Sequence, residues 1–101
     1  GHVGKEYDGV VSGVTRFGMF VELLPVFVEG LVHVRSLDDD VYEHDERHHL
    51  LRGRRTRRVF RVGDPVHVRV AGASVARRQI DFVLTDSEET RPRWRGRRSR
   101  S

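Results

Sequence analysis

Gly9-Val10-Val11-Ser12-Gly13-Val14-Thr15-Arg16-Phe17-Gly18-Met19-Phe20-Val21-Glu22-Leu23 reads as two strands joined by a tight turn. The first half belongs to a strand from Tyr7 to Thr15, rich in β-branched residues. Its glycines, Gly9 and Gly13, mark a bend or a close backbone approach. Gly18 breaks the chain for the turn. The second half alternates: Met19, Val21 and Leu23 point one way, Phe20 and Glu22 the other. A glutamate rarely faces a core unpaired, so the odd positions face inward and Phe20 faces out.

Three more strands follow. Glu29 to Val34 carries Val32 and Val34 on one face, Leu31 and His33 on the other. Pro65 to Val70 turns Val66, Val68 and Val70 inward and His67 and Arg69 outward. Ile80 to Leu84 comes after a turn around Gly72 to Arg77. Five short strands with glycine-bearing turns predict an all-β fold, a five-stranded antiparallel Greek-key barrel. The expected domain covers residues 4–86. Residues 36–61 form a connection between the third and fourth strands that is long for so small a barrel. Its first part is acidic (Asp38, Asp39, Asp40, Glu43, Asp45, Glu46) and its second basic (Arg52, Arg54, Arg55, Arg57, Arg58, Arg61). Leu50, Leu51, Val59 and Phe60 can anchor it. A helical turn near 40–50 and a small hairpin at Gly53 to Thr56 are expected. The arginines have two readings, a surface that steers in phosphate or internal neutralisation of the acids. Residues 87–101 have almost no apolar content and are expected to be disordered.

The 101 residues fit one domain and a short extension. With no cysteine, neither disulfides nor a thiolate zinc site can hold the fold. No apolar run approaches the roughly 20 residues of a membrane span. A cytoplasmic, monomeric protein is the expectation. The net charge of +4 is uneven: up to position 90 there are 13 basic residues against 15 acidic ones. Arg91, Arg93, Arg95, Arg97, Arg98 and Arg100 supply the excess and can attract polyanions with strong salt dependence.

Phe17, Phe20 and His33 are the strongest candidates for chemistry. Flat rings on one barrel face make a stacking platform for single-stranded RNA. Arg16 and Arg35 flank it and can take phosphates, and Arg69 points outward on the fourth strand. Alternation alone is equally compatible with Phe17 and Phe20 as barrel-end core. His44, His48 and His49 could suggest a metal, since His44 and His48 would share a helix face, but no distant ligand completes a site and a solvated loop is preferred. Asp38 to Asp40 cannot all converge on one ion, because neighbours point apart, and are expected to cap a helix start. No Walker-type loop or Ser-His-Asp pattern is present, so no catalytic residue and no cofactor are expected in this stretch.

The pattern Gly9-x-Val11-x-x-Val14-x-x-Phe17-Gly18-x-Phe20-Val21-x-Leu23, then Glu29-Gly30-Leu31-Val32-His33-Val34, then Gly63-Asp64-x-Val66-x-Val68, resembles the S1 domain, an RNA-binding oligonucleotide-binding-fold barrel. Ser36 to Tyr42, Leu51-x-Gly53-x-x-Thr56, Phe60 to Asp64 and Ile80-Asp81-Phe82 resemble more narrowly the C-terminal S1 domain of RNase R, a 3′-to-5′ exoribonuclease of the RNase II family. The resemblance implies that Phe17, Phe20 and His33 touch RNA. It also implies that a catalytic domain with magnesium-binding aspartates lies upstream in the parent chain. Ser74 and Gln79 stand where many S1 domains place an aspartate and an arginine, and Arg77 and Arg78 are near enough to substitute. Val41 replaces an aromatic that the RNase R pattern favours.

Overall fold

The computed structural model describes residues 3–24 and 28–85. In chain order these form β1 (Glu6–Thr15), β2 (Gly18–Leu23), β3 (Glu29–His33), a 3₁₀ turn (Val34–Ser36), β4 (Tyr42–Asp45), β5 (Leu50–Gly53), β6 (Val59–Arg61), β7 (Pro65–Ser74) and β8 (Gln79–Leu84). β1, β2, β3, β8 and β7 close into a barrel in that order. Every pairing in it is antiparallel except β3 with β8, which runs parallel and closes the ring.

Alternation fills the barrel. Val11, Met19, Val21, Leu23, Val32, Val68, Val70 and Phe82 are all buried in one cluster. Two glycines permit the close strand approach. A side chain on Gly30 would meet the Phe82 ring at 2.6 Å and the Ile80 carbonyl at 2.8 Å. Gly18 has φ +155°, and a Cβ there would run into the Val32 carbonyl oxygen. Neither position has room for a larger residue without moving backbone.

The fourth barrel strand runs further than alternation suggested. β7 continues to Ser74, past an irregularity between Val70 and Gly72, and the turn falls at residues 75–78. Gly72 does not end the strand but allows a bulge in it. Val34 leaves β3 and opens the 3₁₀ turn.

The long connection is not helical near 40–50. β4, β5 and β6 form a separate three-stranded antiparallel sheet. Tyr42, Leu51 and Phe60 are buried from it into the barrel cluster together with Leu37. The Tyr42 and Phe60 ring centroids lie 5.5 Å apart, tilted by 48°. Burying the Tyr42 ring and hydrogen-bonding its hydroxyl to Asp39 push its pKa up to about 12. One buried anchor per strand, at 42, 51 and 60, seats this sheet on the barrel core, and short strands stand where a helical turn was expected.

Candidate nucleic-acid interface

Only Arg16 and Phe17 separate β1 from β2. Thr15 holds the turn: its Oγ1 accepts from the Phe17 N–H at 3.0 Å and donates to the Gly18 carbonyl at 3.3 Å. The Phe17 carbonyl accepts from the Val34 N–H at 2.8 Å, which ties the turn to the 3₁₀ segment bearing Arg35. The Phe17 side chain stands out, 61% exposed. The Arg16 guanidinium lies over its ring, 4.9 Å from the centroid.

Phe20 faces outward on β2, 36% exposed, with Gly13 opposite on β1 and Leu31 opposite on β3. A Cβ on Gly13 would sit 3.6 Å from the Phe20 ring, so the ring lies beside bare backbone. Leu31 is outward too, yet it is buried, because the directly opposed Phe20 is within side-chain reach of it. His33 follows on β3, opposite Gly18. Phe20 and His33 thus share the outer face of β2–β3, and exposed Phe17, Arg16 and Arg35 lie at the end of it where the β1–β2 turn meets the 3₁₀ segment.

His33 has company that alternation alone did not single out. Its Nε2 lies 3.6 Å from Asp81 Oδ1 on β8. Gln79 Nε2 donates to that same oxygen at 2.8 Å. With Ile80 and Phe82 turned toward the core, Gln79 and Asp81 had to face out, so the signal was in the alternation of β8. Arg77 and Arg78 are exposed in the turn just before Gln79. Arg69 faces outward opposite Glu6 and Val83. β8 separates it from β3, so it stands about 10 Å round the barrel from the His33 strand. The structure does not bring Arg69 beside the aromatics. The six tail arginines, Arg91 to Arg100, lie outside the described residues.

The arginine-rich half of the connection folds back on its acidic half. Arg52 pairs with Asp45, Arg54 with Glu43 and Arg58 with Asp39, each at 3.4 Å. Arg55 Nη2 donates to the Asp39 carbonyl at 3.3 Å. The aspartates do not cap a helix. Asp40 Oδ2 instead accepts from the Arg55 N–H, the Thr56 N–H and the Thr56 hydroxyl at 2.9, 2.7 and 2.9 Å, closing the β5–β6 turn. The Thr56 N–H above all, aided by its hydroxyl and by the Val41 and Arg55 amides, holds the Asp40 carboxyl far below its usual range. His48 bonds its ring and its backbone N–H to Asp45 and lowers that pKa to about 2. His44 lies on β4 and His48 in the following turn, so no common helix face exists. No group of three potential ligands is placed to hold a metal among the described residues.

A closed five-stranded barrel with exposed rings on the outer face of β2–β3 defines an oligonucleotide-binding-fold module. The chain belongs to the S1 RNA binding domain family, whose match spans residues 2–84. It is 45% identical over 98 residues to ribonuclease R of Escherichia coli (strain K12), covering 97% of this chain and 12% of that protein. Ribonuclease R of Aquifex aeolicus is 45% identical over 89 residues, covering 88% of this chain and 13% of the relative. The chain therefore spans about an eighth of the length of these relatives. Among solved structures it is similar to Mycoplasma genitalium RNase R, in its apo form (TM-score 0.79) and in complex with ribose methylated single-stranded RNA (TM-score 0.78). Both share 24% sequence identity over 81% of this chain and 13% of theirs, a likeness of fold.

Proposed function

We propose that this chain holds single-stranded RNA on its outer barrel face and is the RNA-gripping segment of a larger 3′-to-5′ exoribonuclease of the ribonuclease R kind. The observation that supports this is the sharing of one outer face by Phe20 and His33, with Phe17 61% exposed in the turn that adjoins it. A ring left in water on a two-residue turn gives the fold little burial. A base stacked on it contributes about 1–3 kcal/mol, whichever base it is. Arg16 and Arg35 are close by for phosphates, Arg77 and Arg78 extend the track past Gln79, and Arg69 serves phosphate further round the barrel. The tail arginines add attraction that varies with salt and not with sequence. The similarity to ribonuclease R over about an eighth of its length supports a parent whose bond cleavage, with its magnesium, lies outside this stretch. A monomeric, cytoplasmic setting goes with that role.

The test is a salt titration of binding to a labelled single-stranded RNA. Three proteins are compared: the intact chain, Phe17→Ala/Phe20→Ala, and a version ending at Thr90. The double variant is expected to lose affinity at every salt concentration, and the truncation mainly to flatten the salt dependence. Unchanged binding by the double variant, with only the truncation weakened, would refute stacking and point to a protein partner for the face.

A further inference from the structure

Asp81 is an odd neighbour for a surface that meets a polyanion. It lies on β8 directly beside β3, opposite Leu31 on one side and Gly72 on the other. Its Oδ1 is engaged by Gln79 at 2.8 Å, with His33 Nε2 at 3.6 Å. Those two neighbours fix how the carboxylate is turned. Among the described residues Oδ2 accepts no hydrogen bond, and the side chain is 38% exposed. The space beside it is open, since a Cβ on Gly72 would meet nothing within 4 Å.

We infer that the Asp81 carboxylate accepts a hydrogen bond from an uncharged donor of the bound nucleotide, a ribose 2′-hydroxyl or a base-edge N–H, so that the face discriminates among nucleic acids as well as holding them. The inference rests on the outer face being the RNA site. A carboxylate repels phosphate and accepts strong hydrogen bonds from hydroxyl and N–H groups. Beside a stacked nucleotide it therefore disfavours poses that bring the backbone in and favours poses that present the sugar or the base edge. Specificity of this kind needs both the attraction and the repulsion. DNA lacks the 2′-hydroxyl and can offer only its bases. If Asp81 served only to orient His33, its loss would weaken every ligand alike.

The experiment measures equilibrium binding of the 101-residue chain to oligouridylate, oligodeoxyuridylate, oligocytidylate and oligoadenylate. Asp81→Ala is expected to lower the uridylate-to-deoxyuridylate affinity ratio about tenfold, the scale of one hydrogen bond to a charged group. Deoxyuridylate binding should hold or tighten, because a repulsive charge has gone. Asp81→Asn keeps a carbonyl oxygen and should keep the ratio. A ratio that holds while the ranking of the three RNA bases changes assigns the donor to the base edge and also upholds the inference. A common shift in all four affinities, or none, overturns it and leaves Asp81 as a support for His33. Phe17→Ala/Phe20→Ala is measured alongside, and RNA affinity retained there would sink the face itself and not the part of Asp81 alone.

Discussion

The outer barrel face and the β4–β6 sheet both carry arginine, and they use it in opposite ways. On the barrel, Arg16 lies on the Phe17 ring, and Arg35, Arg77 and Arg78 form no ion pair among the described residues. On the sheet, Arg52, Arg54 and Arg58 each face a carboxylate, and Arg55 a backbone carbonyl. The register sets this up: β4 opposes β5 with Glu43 across from Arg52 and Asp45 across from Leu50, so acids and bases lie within a side chain's reach. Exposed pairs of this kind contribute only about 0–1 kcal/mol each. What they do is match the sheet's own charge. The pairing is not complete, since Arg57 and Arg61 form no ion pair among the described residues, but on the proposed reading it leaves the sheet less charge to offer a ligand than the barrel face.

If the sheet is part of the barrel core, the largest effect should come from Phe60→Ala. Truncating a buried aromatic typically costs about 3–5 kcal/mol. Because Phe60 shares one cluster with Val11, Val68 and Phe82, thermal unfolding should remain a single transition at lower temperature. Two transitions, one for each sheet, would break this account and make the β4–β6 sheet an independent layer. Phe17→Ala should do the reverse. It should leave thermal stability near wild type and weaken RNA binding by about 1–3 kcal/mol, read by fluorescence anisotropy. A smaller contrast separates the two sets of arginines. Arg35→Ala should reduce the salt slope of RNA binding by about 0.7, one single-strand phosphate contact. Arg52→Ala, whose guanidinium already has Asp45, should leave the slope unchanged.

The barrel was legible because burial imposes a period of two. Glu22 alone settled which way Met19 and Phe20 point, and the same rule, extended to β8, exposes Gln79 and Asp81. The β4–β6 sheet was hard to read for a physical reason. Its charges come in blocks, and a block has no period. Its strands of four, four and three residues are too short for alternation to outweigh that. Pairing at a distance was also hidden. Asp40 closes a turn 15 and 16 residues away, and nothing local distinguishes it from Asp38 or Asp39. In the candidate site, residue types and faces followed from sequence, whereas the link from His33 to Asp81 needed the parallel β3–β8 pairing.

The two regions should also fail at opposite ends of the pH scale, with the smallest effects of the set. On the barrel, His67 joins β7 to β1: Nδ1 lies 2.8 Å from Asp8 and Nε2 3.0 Å from Glu6. Both nitrogens must carry protons to satisfy both carboxylates. The Asp8 hydrogen bond raises the His67 pKa above its ordinary 6.5, partial burial works against it, and the Glu6 hydrogen bond adds to the rise. A folded pKa above the unfolded one means that this contribution is complete below 6.5 and is lost as pH climbs through the folded value. Asp40 and Asp45 carry the opposite sign. Their folded pKa values lie below the ordinary 3.8, so their contribution is present above 3.8 and lost as pH falls through the folded values, about 2 for Asp45. Melting temperature followed from about pH 5 to 9 should decline on the alkaline side in wild type and flatten in His67→Gln. Followed from about pH 5 down to 2, the acid limb should flatten in Asp40→Asn and stay as in wild type in His67→Gln. All three groups are only partly buried and stay in contact with solvent, so shifts of a few degrees at most are expected. An alkaline limb that survives in His67→Gln would mean that the β1–β7 seam is held by its ladder and not by this ion cluster. The contrast between the regions would then rest on arginine pairing alone.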